Sequence, residues 1–173
     1  TFLIDEKIDT GRILKQLRTP IGDSETAGEL HDRLMILGAE LTLTTIRELI
    51  SGKVRPTDQD DLIPDEGSLL PAPKIFKDDC RINWELDAGA IFNLIRGLSP
   101  IPGAFTYLKY NDGTTKTLKV FQGEKVIVVP DLPPGSIRFG KNTFEIACKN
   151  GYIKLMEIQL EGKRKMKAFE FLR

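Results

Sequence analysis

At 173 residues the chain can form one large or two small domains, and its 40% apolar content can supply a core. No apolar stretch approaches the roughly 20 residues that cross a bilayer and no signal-peptide pattern is present, so a soluble intracellular protein is expected. Cys80 and Cys148 stand far apart with no CxxC spacing, which speaks against a disulfide framework or a zinc site and for reduced thiols in the cytosol. The net charge of zero hides an asymmetry: residues 1–70 carry 8 Lys+Arg against 14 Asp+Glu, a net of −6, and residues 71–173 carry 17 against 11, a net of +6. A basic half suits an anionic partner, because clustered Lys and Arg replace the counterions condensed on nucleic acid. An ordinary solvated basic surface is the competing explanation.

In chain order, Thr1–Asp5 reads as a buried strand and Arg12–Leu17 as another, ended by Pro20. There is no capping sequence before the first apolar residues, so the chain is expected to begin inside a domain and to be a carboxy-terminal piece of a longer protein. Thr26 and Glu29 then fit a capping box, and Leu30, Leu34, Leu37 and Leu41 fall on one helical face. A second helical stretch, with Ile46, Leu49 and Ile50 inward, stops at Ser51-Gly52. Strand, strand, helix over residues 1–52 is the tail of an α/β unit. Residues 53–77 hold Pro56, Asp58, Asp60, Asp61, Pro64, Pro71 and Pro73 without an apolar period, and read as a linker.

Residues 78–173 form the second predicted domain. Asp87 can cap a short helix with Ile91, Phe92, Leu94, Ile95 and Leu98 inward, ending at Gly97. Strands follow: Ala104–Tyr110 and Thr115–Phe121 around Asn111-Asp112-Gly113, Lys125–Val129 running into Pro133-Pro134-Gly135, and Phe144–Cys148 and Tyr152–Leu160 around Lys149-Asn150-Gly151. Five or six short strands at this spacing predict a small closed barrel rather than an open sheet. Trp84, Phe92, Leu94 and Phe105 are expected in its core.

Several chemistries are excluded. There is no GxG dinucleotide fingerprint and no GxxxxGK[ST] phosphate loop, and one histidine cannot make HExxH. That histidine, His31, sits on the long helix beside Asp32 and reads as a helix residue rather than a base. Ser68-Leu69-Leu70-Pro71 reads as plain linker. No metal site is expected. Asp9 in Ile8-Asp9-Thr10-Gly11 has two readings: an acid at a strand end that closes a turn by bonding backbone amides, or part of a site.

Ile8-Asp9-Thr10-Gly11, with Ile13-Leu14 and the helix ending near Gly52, resembles the end of the catalytic domain of the 10-formyltetrahydrofolate-dependent formyltransferases. Ala72-Pro73-Lys74-Ile75, Arg81-Ile82-Asn83-Trp84, Asn93–Pro100, Pro102–Thr106 and the closing Gly162–Phe169 stand in the order seen in the methionyl-tRNA formyltransferase family. The resemblance covers essentially the whole chain. It implies an α/β tail of a Rossmann-like formyltransferase domain over 1–52, a linker over 53–77, and an all-β OB-like small barrel with a short helix over 78–173. It implies formyl transfer from 10-formyltetrahydrofolate to the methionyl amine of initiator tRNA by an Asn, a His and an Asp, of which only Asp9 has a match here. The chain alone is therefore expected to be inactive. Asp5, Glu6, Lys7 and Ile8 are implied as the loop that approaches the folate.

Lys74, Lys77, Arg81, Arg96, Lys163, Arg164, Lys165 and Lys167 are the candidate tRNA contacts. Arg96 can instead pair with an acid inside its own domain, and the run 163–167 can be a solvated turn. The barrel shows no aromatic stacking pattern of the RNP type, so recognition is expected to rest on charge and shape. A cytoplasmic enzyme, monomeric at full length, with initiator methionyl-tRNA as partner and neither DNA nor membrane, is implied. The alternatives are a formyltransferase acting on a sugar nucleotide, a formyltetrahydrofolate hydrolase domain, or a stand-alone RNA-binding module with an incidental Asp9.

Overall fold

The computed structural model describes residues 1–63 and 69–172; Pro64 and Ser68 of the expected linker lie outside them. The chain divides into two compact units, one of residues 1–23 with 29–74 and one of residues 24–28 with 75–173. No described helix is long and apolar enough to cross a membrane.

The first unit contains less sheet than the apolar runs suggest. The two expected strands reduce to single bridges, Phe2 to Ile13 and Ile13 to Thr57, held by Leu3 N–H to Arg12 O at 2.9 Å and by reciprocal Ile13 and Thr57 bonds at 2.8 and 2.9 Å. Ile4 is 92% exposed, so the first run is not buried; nothing described lies over it. The pairing also brings Thr57, within the expected linker, back onto this unit.

A single helix, α1 (Ala27–Ile50), replaces the two expected helical stretches. No Gly or Pro interrupts Leu41–Ile50, and the hydroxyls of Thr42, Thr44 and Thr45 bond the carbonyls four residues back at 2.8, 2.9 and 2.7 Å, so they do not divert the helix. It ends in a Schellman arrangement: Gly52 has φ +70°, with Gly52 N–H to Leu49 O at 3.1 Å and Lys53 N–H to Glu48 O at 2.9 Å. Ile46, Leu49 and Ile50, expected inward, are exposed, because no described element covers that face.

In the second unit, α2 (Ala88–Leu98) is capped by Asp87, whose Oδ1 accepts the Ala90 N–H at 2.8 Å. It runs one residue past Gly97 and packs on a curled antiparallel sheet. Ile91, Ile95 and Leu98, spaced to share a face, are at most 6% exposed; each contributes about 1.5–3 kcal/mol of burial.

The strands are β1 (Ala104–Lys109), β2 (Thr115–Ile127), β3 (Ile137–Phe139), β4 (Phe144–Cys148), β5 (Gly151–Leu160) and β6 (Met166–Lys167). Their order is β1-β2-β5-β4-β3, with β6 also on β5. Both predicted hairpins form. At the first, Gly113 takes φ +83° and Asp112 accepts the Thr114 N–H at 2.8 Å. At the second, Asn150 Oδ1 accepts the Ala88 N–H at 2.8 Å and so ties the hairpin to the start of α2.

Two expectations are corrected here, and three short elements join the predicted ones. Lys125–Val129 is not a separate strand: β2 runs through to Ile127 across a register shift at Val120–Gly123, and the irregularity bends one strand where two were expected. The short β3 and β6 and the closing helix α3 (Ala168–Phe171) carry too little apolar period to be seen in sequence. The barrel is a half-barrel, not a closed one: among the described residues β1 and β3 remain the two ends of the sheet, with no ladder between them.

The core is Ile91 and Ile95 of α2 with Leu118, Val120, Phe144, Ile146, Ile153, Leu155 and Ile158 of the sheet. Phe105 is buried; Trp84, Phe92 and Leu94 are partly buried and packed on this core. Phe171 of α3 stacks on Phe144 at 5.6 Å between centroids and covers one end. Both cysteines are free and buried, and burial pushes the Cys148 thiol up from its usual range.

Candidate functional site

In the first unit, residues 4–11 form a loop between the bridged segments. Asp5 Oδ1 accepts the Lys7 N–H at 3.0 Å and the Thr10 hydroxyl at 2.7 Å, which folds the loop on itself. Asp9 takes φ +59°, uncommon for a residue with a side chain but tolerated by Asp. Gly11 is required here: a Cβ would lie 1.5 Å from Leu3 O. From the far side Gln59 Nε2 donates to Asp9 O and Gly11 O, both at 2.8 Å. Asp9 is thus displayed on a loop clamped on both flanks, and its own side chain is exposed.

An open depression of about 700 Å³ lies against this loop, lined by Asp5, Glu6, Lys7, Asp9, Asp58 and Asp60, among others. Of the five loop candidates the structure gathers Asp5, Glu6, Lys7 and Asp9; Ile8 is 90% exposed and is not part of the lining. Gln59, Asp58 and Asp60 escaped the sequence reading because they lie in the Pro- and Asp-rich stretch. Among the described residues no His or Asn lines the depression, and His31 on α1 pairs with Asp32 at 3.1 Å. Among the described residues no cluster of His, Cys, Asp and Glu could hold a metal.

In the second unit the cations form two neighbouring groups. Arg81 stacks over the Tyr107 ring at 5.3 Å and Lys116 lies over Tyr110 at 5.7 Å. The backbone of Glu161 donates to Thr117 O at 2.9 Å, and its carboxylate accepts the Thr117 N–H at 2.9 Å. That bond, with Lys116 and Lys77 nearby, holds the Glu161 carboxyl below its usual range. Glu161 therefore joins the Lys77, Arg81 and Lys116 group to the turn carrying Lys163 and Arg164.

That turn is less bare than its sequence suggests. Lys165 and Lys167 both reach Glu157, at 2.5 and 3.4 Å, and Lys165 also lies over Phe121 at 4.7 Å. The Lys165 bond, ahead of Lys167, lowers the Glu157 carboxyl. Arg164, with an 86% exposed side chain, stands 4.0 Å from Glu170.

Arg96 makes contacts within its own unit. It donates to Asn93 Oδ1 at 2.9 Å and to the Glu25 carbonyl at 3.0 Å, and so fastens residues 24–28 to α2. Lys74 is exposed and clusters with the first unit. The sequence reading missed Tyr107, Lys109, Tyr110 and Lys116; the available signal was the Asn111-Asp112-Gly113 turn, which sets Tyr110 and Lys116 on its two arms.

A family model described as the formyl transferase, C-terminal domain, matches residues 74–173. The chain belongs to that family. Its full length is 44% identical to a methionyl-tRNA formyltransferase of Phocaeicola vulgatus and 38% identical to one of Bacteroides thetaiotaomicron, covering 54% of each. The chain thus spans about half the length of the curated relatives it matches.

Two solved structures share the fold. HypX from Aquifex aeolicus, in complex with tetrahydrofolic acid, superposes with TM-score 0.68 at 16% identity over 99% of this chain and 29% of its own. An N-formyltransferase from Helicobacter canadensis, in complex with folinic acid and dTDP-3-aminofucose, gives TM-score 0.58 at 18% identity over 95% of this chain and 54% of its own.

Proposed function

We propose that this chain is the carboxy-terminal portion of a cytoplasmic methionyl-tRNA formyltransferase, monomeric at full length, which moves a formyl group from 10-formyltetrahydrofolate to the amino group of methionyl initiator tRNA. The observation that carries the reading is the 44% identity along the whole chain to an enzyme of that name. The first unit is then the end of a Rossmann-like catalytic domain, and the second supplies tRNA affinity and orientation.

In this reading the Asp9 carboxylate orients a histidine and stabilises its imidazolium as that ring takes the proton of the attacking amine. The clamped loop supports such a role, since a positioning carboxylate needs a fixed backbone. The depression beside it fits one end of the donor: its carboxylates suit the amino and ring N–H donors of a pterin. Among the described residues five acids against Lys7 do not suit the anionic glutamate tail, which belongs elsewhere in the protein. On the second unit, Lys77, Arg81, Arg96, Lys163, Arg164, Lys165 and Lys167 are assigned to tRNA phosphates, with Lys116 added from the geometry; Arg96 also donates to Asn93 and to the Glu25 carbonyl.

The test is formyl transfer by the full-length protein carrying this chain. Asp9→Asn is expected to lower transfer to methionyl initiator tRNA about 10²–10⁴-fold with little change in tRNA affinity, and this chain alone is expected to form no product. Unchanged turnover in the variant, or preference for an amino-sugar nucleotide as acceptor, would overturn the reading.

A further inference from the structure

Between the two ends of the half-barrel runs a groove of about 440 Å³, lined by Trp84, Tyr107, Lys109, Gly135, Ser136 and Ile137 among others. We propose that this groove takes an unpaired nucleotide of the bound RNA, its base stacked against the exposed ring of Tyr107 beside Trp84 and its phosphate held by Arg81 and Lys109. The inference rests on the RNA-docking reading of the second unit and adds a site to it.

Four features carry it. The rings are fixed before any ligand arrives: Trp84 Nε1 donates to Thr106 Oγ1 at 3.0 Å, and Tyr107 meets Phe105 edge-on at 5.5 Å. Tyr107 nevertheless keeps 42% of its surface exposed, which leaves its ring within reach of a ligand. Arg81 over its ring marks the groove edge with a planar cation that stacks on bases and pairs with phosphate.

The strand edge supplies polar groups as well. Ile82 N–H bonds Phe105 O at 2.8 Å, so Phe105 turns its backbone away from β2; by strand alternation Tyr107 and Lys109 turn theirs the same way. No other described strand pairs with that edge beyond this point. Finally, the charge matches: residues 71–173 carry 17 Lys+Arg against 11 Asp+Glu. A peptide strand adding to the same edge would need no cation at its rim, and charge favours RNA.

Trp84 is the sole tryptophan, so its fluorescence reads this groove alone. The chain is titrated with a short single-stranded oligoribonucleotide, a blunt RNA duplex of equal charge, inorganic phosphate and an uncharged extended peptide. Saturable quenching by the single strand is expected, with none from the duplex or phosphate. Tyr107→Ala is expected to weaken single-strand binding about tenfold, and Tyr107→Phe, which keeps the ring, to leave it unchanged.

Equal quenching by the duplex, quenching by the peptide in place of RNA, or equal affinity in Tyr107→Ala overturns the inference. If labelled tRNA binds with a steep salt dependence while Trp84 stays silent, the groove assignment falls and the docking reading stands. If neither responds, both fall.

Discussion

Replacing Gly11 by Ala puts the geometry of the Asp9 loop to a direct test. The new Cβ would stand 1.5 Å from Leu3 O, where real contacts essentially never close below 3.0 Å, so the segments around Leu3 and Gly11 must part by about 1.5 Å. That opening breaks the Leu3 to Arg12 backbone bond and pulls both Gln59 bonds out of range. Three hydrogen bonds at about 1 kcal/mol each give about 3 kcal/mol of local destabilisation. Amide exchange across the peptides covering residues 1–15 and 55–60 should then accelerate about 100-fold, since each 1.4 kcal/mol is a factor of ten. Trp84, in the other unit, should report an unchanged transition. Unaltered protection of residues 1–15 in the variant would refute the clamped-loop geometry.

Other perturbations probe the second unit. Ile95→Ala removes a side chain that is 1% exposed between α2 and the sheet, and should cost about 2–5 kcal/mol by Trp84-monitored denaturation; a loss under about 1 kcal/mol would contradict the packing described. Glu157 has a carboxyl held below its ordinary 4.5 by Lys165 and Lys167, so its contribution is complete above that value and is lost as pH falls through the lowered one. Glu157→Gln should therefore lower Tm at pH 7, with the gap to the native chain closing on acidification below 4.5; a gap independent of pH would refute the pairing. Changing Lys163, Arg164 and Lys165 together to Ala should weaken tRNA binding and reduce the salt slope by up to about one for each phosphate no longer neutralised. Because Lys165 is engaged with Glu157, most of that weakening should come from Lys163 and Arg164, which the single variants check.

Periodic and turn-bounded features were legible in the sequence. The Asp87 cap, the Ile91–Ile95–Leu98 stripe and the hairpins at Asn111-Asp112-Gly113 and Lys149-Asn150-Gly151 follow from local chemistry, and the structure places them where that chemistry points. The half-open sheet was not legible, because strand count and turn spacing are the same for a closed barrel and one whose β1 and β3 never meet. Nor was the bent β2, whose register shift leaves no turn residue to mark it. For the first unit, apolar runs such as Phe2–Ile4 signalled strands, yet a run forms a ladder only where a partner segment lies beside it.

The candidate site divides along the same line. Asp5, Glu6, Lys7 and Asp9 could be singled out as neighbours in sequence, whereas Gln59, 48 residues beyond Gly11, could be found only from the fold. The basic tail was visible as a run of letters, but its partial neutralisation by Glu157 and Glu170 was not, since pairing depends on β5, β6 and α3 lying side by side. The bond from Arg96 to the Glu25 carbonyl was hidden in the same way, because it crosses 71 residues of chain.

The most direct test of the account is the anisotropy of labelled initiator tRNA titrated with this chain over a series of salt concentrations. Binding at low salt that falls steeply and linearly in log affinity against log salt is the predicted result, with counterion release from several phosphates as its cause. No binding at low salt, or an affinity indifferent to salt, would contradict the assignment of the basic second unit as the RNA-docking domain.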